Sequence, residues 1–115
     1  MLKTAVIGVG YLGRFHAQKY AALAESELIG VVDVDPEQAQ KIADELEVPS
    51  YTDYHEVLDQ VDAVSIVVPT VHHYETAKAF MENGVHVLLE KPFAATIEEA
   101  EELEQLSRDK NLRLQ

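Results

Sequence analysis

Short apolar runs alternate along this chain with segments of helical periodicity, and that alternation restricts its fold more than any other feature. Residues 4–9, 28–33, 63–68 and 86–89 are dominated by Val, Ile, Leu and Ala. A continuous apolar run this short, bounded by Gly, Pro or Asp, reads as a strand buried on both faces. Residues 11–24 read as a helix, with Leu12, Phe15 and Leu23 near helical spacing. Asp35 is placed to cap the next helix, with Pro36 at its first position, where a missing N–H costs nothing. Ala39, Ile42, Ala43 and Leu46 recur at helical spacing, and Pro49 is expected to stop that helix. Residues 50–52 suggest a short strand, and Asp53 a cap for a brief helix through Leu58. Pro69 ends the third apolar run. Thr70 is expected to cap a helix that stops at Asn83-Gly84. Thr96-x-x-Glu99 forms a capping box before a helix with Ile97, Ala100, Leu103 and Leu106 on one face. Residues 112–115 begin something extended. Strands that alternate with helices imply a parallel sheet covered on both sides, and right-handed crossovers make it an α/β doubly wound fold.

A chain of 115 residues makes one domain with one sizeable core. Nine basic against 21 acidic residues give a formal charge of −12, which argues against a nucleic-acid partner. Glu98, Glu99, Glu101, Glu102 and Glu104 crowd the last helical segment and read as its solvated face. No apolar run approaches the length of a membrane span, and no membrane association is expected. The opening residues lack the layout of a signal peptide, so a cytoplasmic location is expected. The absence of cysteine excludes disulfides and thiolate metal sites.

Gly8-Val9-Gly10-Tyr11-Leu12-Gly13 sits where the first strand turns into the first helix. In such a turn the first Gly permits the bend, the second lets backbone approach a pyrophosphate, and the third lets helix pack on strand. The helix start offers N–H groups and a positive dipole end to phosphates. Asp33 ends the second strand, 20 residues beyond Gly13. Its carboxylate suits ribose hydroxyls and repels a 2′-phosphate, so NAD is expected in preference to NADP. These features together specify a Rossmann-type dinucleotide-binding fold. With Asp35 as the cap, Asp33 is expected to serve the ligand. Arg14 reads as a solvated helix residue rather than a phosphate ligand. His72 and His73 are adjacent on a helix start and point about 100° apart, which argues against a shared metal. Glu90-Lys91-Pro92 closes the strand 86–89, where a charged pair after buried residues is unexpected from packing alone. A lysine there can take part in proton transfer, and Pro92 allows a cis bond that would fix its direction.

The run Pro69-Thr70-x-x-His73-x-Glu75, followed by Gly84-Val85-His86-Val87-Leu88-Leu89-Glu90-Lys91-Pro92, resembles the Gfo/Idh/MocA oxidoreductases. The glycine loop with His16, Val31-Val32-Asp33, and Ala95-Thr96 with Glu99-Ala100 match the same family. The resemblance covers the whole chain. It implies NAD(P)-dependent oxidation or reduction at a carbinol carbon of a sugar, cyclitol or nucleotide sugar; the residues do not tell which, and a nucleotide sugar is the working expectation. It also implies that Lys91 is catalytic, meeting the nicotinamide ribose and the substrate hydroxyl. Gly8, Gly10, Tyr11, Leu12, Gly13, Asp33, Pro69, Thr70, His73, Glu90 and Lys91 would then contact the cofactor, with an architectural role at the helix start as the alternative for His73. Thr70 stands where the family often has Asn. Family members continue into a second domain that supplies the substrate pocket and most of the oligomer interface. Residues 1–115 are therefore expected to be the cofactor domain of a longer, homo-oligomeric enzyme. Two other readings stay open at this point, a stand-alone nucleotide-sensing module and a methyltransferase. Neither accounts for Glu90-Lys91-Pro92.

Overall fold

The computed structural model describes residues 2–8, 10–22, 26–68, 72–89 and 96–114, without the side chains of Tyr11, Leu12, Arg14 and Phe15. Strands β1 (Leu2–Ile7), β2 (Ser26–Val32), β3 (Ser50–Tyr51), β4 (Ala63–Ile66) and β5 (His86–Leu89) form one sheet in the order β3-β2-β1-β4-β5. Every neighbouring pair is parallel. Helices α1 (Tyr11–Ala22), α2 (Pro36–Leu46), α3 (His73–Glu82) and α4 (Ile97–Asp109) fill the crossovers, with a 3-10 turn at Tyr54–Val57. Leu114 makes a parallel bridge to Val87, so the tail lies along the open edge of β5. The chain winds outward from β1 in both directions, and its topological switch point lies between β1 and β4.

The apolar runs are strands because they are buried on both faces. From β1, Ala5 and Ile7 enter a core shared with Phe80 and Met81 of α3 and Leu103 of α4. Val6 enters a separate core with Ala17 of α1 and Ile42 and Ala43 of α2. The β1–β2 register shifts between Thr4 and Ala5, which pair with Leu28 and Gly30. One extra residue in β2, Ile29, therefore resets the alternation, so that Leu28 and Val31 both join the α1–α2 core.

The elements start and stop close to expectation, with differences that have local causes. Both β1 and β2 begin earlier than the apolar runs, because pairing continues through Leu2↔Ser26 and Lys3↔Glu27 at the sheet's amino end. Strand β4 ends at Ile66, short of the expected Val68. Helix α2 stops before Pro49 acts. Glu47 adopts a left-handed conformation (φ 58°) and the Val48 N–H donates to the Ala43 carbonyl at 3.0 Å. Thr96 Oγ1 accepts from the Glu99 N–H at 3.1 Å, as the capping box predicts. Ile97 shares the apolar face of α4 by spacing but is 78% exposed. It occupies the first position of α4, which docks through its middle at Leu103. Helix α3 begins at His73, and His72 before it makes no side-chain cap bond. The expected cap, Thr70, lies outside the described residues.

Candidate cofactor site

The carboxy ends of β1, β2 and β4, the 3-10 turn and the first turn of α3 surround a cavity of about 790 Å³. Gly8 closes β1 at its floor. Its N–H donates to the Val32 carbonyl at 2.7 Å, and its φ is +94°. A methyl group on Gly8 would collide with the Val67 carbonyl oxygen and meet Val68 Cγ1 at 3.2 Å. A methyl on Gly13 would collide with the Gly8 carbonyl oxygen. These two glycines are required by the protein itself: the strand ends and α1 approach too closely for a side chain. Gly10 differs. A methyl there meets no atom of the described residues within 4 Å, although Gly10 lines the cavity. Tyr11 and Leu12 open α1. The unpaired N–H groups of a helix's first turn and the positive end of its dipole thus lie beside the glycine loop.

Asp33 follows β2 and lines the cavity, half-buried. Its N–H donates to the Tyr51 carbonyl at 3.1 Å, and its Oδ1 accepts from the Asp35 N–H at 2.9 Å. Asp35 caps α2 as expected, accepting from the N–H groups of Glu37 at 3.0 Å and Gln38 at 3.4 Å. The division of labour is less clean than the sequence implies, because Asp33 also holds the turn. A carboxylate has two acceptor oxygens, and the bond to Asp35 uses only Oδ1.

His73 is 3% exposed, and its ring Nε2 lies 2.8 Å from the Val68 carbonyl. A carbonyl only accepts, so Nε2 carries the proton. This contact ties the first turn of α3 to the end of β4. Pro69, Thr70, Glu90, Lys91, Pro92 and the side chain of Arg14 lie outside the described residues.

Three side chains on the wall carry chemistry that the sequence did not single out for the site: Asp53, Tyr54 and Glu75. Asp53 Oδ1 accepts from the His55 N–H at 2.9 Å and lies 2.6 Å from the His55 ring Nδ1. The His55 backbone N–H, followed by its ring, holds the Asp53 carboxyl below the ordinary carboxylate range. Burial pushes the Tyr54 hydroxyl up, and Glu75 and then Asp53 add to that shift. Asp53 had a visible signal as a turn cap. Its place on the cavity wall depends on how β3 pairs with β2, which no local pattern encodes. A smaller hollow, about 390 Å³, lies at the opposite end of the sheet beside Lys3, Asp59 and Asp62. Ligands of doubly wound sheets bind at the carboxy ends, which favours the larger cavity.

The model of the family described as "Oxidoreductase family, NAD-binding Rossmann fold" matches residues 2–115. UDP-N-acetylglucosamine 3-dehydrogenase of Acidithiobacillus ferrooxidans is 48% identical over 111 residues, covering 96% of this chain and 35% of that protein. A solved structure of that enzyme superposes with a TM-score of 0.92 at 46% identity, over 98% of this chain and 37% of the other. Scyllo-inositol dehydrogenase from Lactobacillus casei, solved with NAD(H) and scyllo-inositol bound, gives a TM-score of 0.92 at 29% identity, over 100% of this chain and 35% of the other. The chain thus spans little more than a third of the length of these relatives.

Proposed function

Because the chain belongs to the Gfo/Idh/MocA oxidoreductase family, in its NAD-binding Rossmann fold, we propose that it is the cofactor domain of a dehydrogenase acting on a sugar-type carbinol. Residues 1–115 hold NAD in the cavity above Gly8, and a nucleotide sugar is the favoured substrate class. The observation that carries this reading is Gly10: among the described residues, nothing in the protein requires a glycine there, and a pyrophosphate above the loop does. The 48% identity to a UDP-sugar dehydrogenase supports the substrate class.

In this reading Gly8, Gly10, Tyr11, Leu12 and Gly13 present backbone to the pyrophosphate, and Asp33 accepts from ribose hydroxyls. Pro69 and Thr70 line the cleft, and Glu90 stands at its nicotinamide end. NAD, when bound, supplies the hydride acceptor. The substrate hydroxyl proton passes to a base, a role assigned to Lys91. His73 serves the site by positioning α3. Substrate recognition and homo-oligomer contacts lie mainly outside residues 1–115, and the protein works in the cytoplasm.

Calorimetric titration with NAD+ and NADP+ tests the reading. NAD+ should bind more tightly, and Asp33→Ala should erode that preference. Equal or tighter NADP+ binding by the unaltered protein, or a preference unmoved in Asp33→Ala, would overturn it.

A further inference from the structure

Strands β2 and β3 run side by side, Val32 opposite Tyr51, and end at the same level. Asp33 stands one residue past β2 and Asp53 two residues past β3, and both line the cavity described above. The Asp33 N–H bond to the Tyr51 carbonyl joins the two strand ends directly. Asp53 is held in place by the backbone and ring of His55. This wall of the site therefore carries two carboxylates where the fold needs only turn caps.

We propose that Asp53 is a second specificity-determining residue, acting with Asp33 to disfavour dinucleotides that carry a phosphate on the adenosine ribose. The inference rests on the NAD-binding reading. Its physical basis is charge. A phosphate monoester adds close to two negative charges at neutral pH. The ribose of NAD adds none, so only the phosphorylated cofactor meets the extra repulsion. In water two like unit charges repel by about 1 kcal/mol at 4 Å and by about half that at twice the distance, so even at the longer separation each pair changes binding by roughly two- to threefold. Removing one carboxylate should therefore shift the balance between the two cofactors by roughly three- to tenfold. Screening by salt should shrink that shift.

Asp53→Asn is the direct test, because an amide oxygen still accepts from the His55 N–H and preserves the turn. Asp53→Ser retains a capping hydroxyl and serves as the second variant. Each protein is titrated with NAD+ and NADP+ at low and at high ionic strength. Both variants should bind NADP+ more tightly relative to NAD+ than the unaltered protein does, by about three- to tenfold at low salt and less at high salt. His55→Ala, which keeps the charge, should leave the ratio unchanged. If NAD+ binds normally and the ratio stays within twofold in both Asp53 variants, the role of Asp53 is refuted and the NAD reading stands. A ratio that shifts equally in His55→Ala would assign the effect to turn geometry and overturn the charge argument. If the unaltered protein fails to bind NAD+, the parent reading falls and takes this inference with it.

Discussion

A methyl group would not mean the same thing at each of the three loop glycines, and this difference separates two residues that the fold requires from one proposed to serve a ligand. At Gly8 it would strain a backbone held at φ +94° and strike the Val67 carbonyl; at Gly13 it would strike the Gly8 carbonyl. Gly8→Ala and Gly13→Ala are each expected to destabilise the protein by about 2–4 kcal/mol, from backbone strain or overpacking. Gly10→Ala should leave the chemical-denaturation midpoint nearly unchanged, since no described residue lies within 4 Å of the added carbon. It should nonetheless weaken NAD+ by about tenfold or more, because backbone can no longer approach the pyrophosphate. Normal NAD+ affinity in Gly10→Ala would remove the main support for the site. The lysine makes a second prediction. In the whole enzyme, Lys91→Ala should lower kcat by about 10²–10⁴-fold while changing NAD+ affinity little, as loss of general acid–base assistance requires. A kcat within about threefold of the unaltered enzyme would leave Lys91 a surface residue, for which a lost ion pair affects only stability.

At the scale of the element, caps and close approaches decide where each piece begins and ends. Asp35 satisfies two N–H groups at the start of α2, and Asp35→Ala should cost about 1 kcal/mol in denaturant unfolding. Gly30 is a less visible constraint. A methyl there would lie 2.6 Å from Cε2 of Tyr51 and 3.2 Å from the Pro49 carbonyl, so the ring of β3 must move to admit it. The expected cost of Gly30→Ala is about 1–3 kcal/mol. The Asp53 turn should respond to acid. Its carboxyl is depressed in the fold, so its contribution is present above the unfolded value and is lost as pH falls through the lower folded value. Thermal melts should therefore show the advantage of the unaltered protein over Asp53→Asn shrinking as pH drops through the acid range. Between helices, Lys78 reaches Glu102 at 3.1 Å and the Tyr74 hydroxyl at 3.2 Å, linking α3 to α4 at the surface. That link is exposed and screened, so the α3–α4 contact depends mainly on Phe80 and Leu103.

For the whole molecule, the order β3-β2-β1-β4-β5 places the glycine loop at the switch point and opens the cavity there. The proposed assignment of substrate recognition to residues beyond 115 has a direct consequence. The protein of residues 1–115 should bind NAD+ but show no turnover with sugars or nucleotide sugars, because positioning of the reactants can account for about 7–11 kcal/mol of a barrier. Reduction of NAD+ at an enzyme-like rate would refute that assignment. Much of this architecture was legible in one dimension. Apolar runs, Asp35-Pro36 and Thr96-x-x-Glu99 act on their own neighbourhood in the chain, so residue order alone determined the strands, the helices and the loop with its three glycines. The exposure of Ile97 was not legible, because periodicity marks a helix face without saying where along it the sheet ends. The tertiary structure alone decided which residues share a wall. Asp33 and Asp53 line one cavity because β3 pairs with β2, and Glu75 approaches Tyr54 because α3 packs over the end of β4. It also distinguished Gly10 from Gly8 and Gly13, since only the approach of β4 and α1 to the end of β1 reveals which of these glycines has no described residue of the protein within reach of an added methyl.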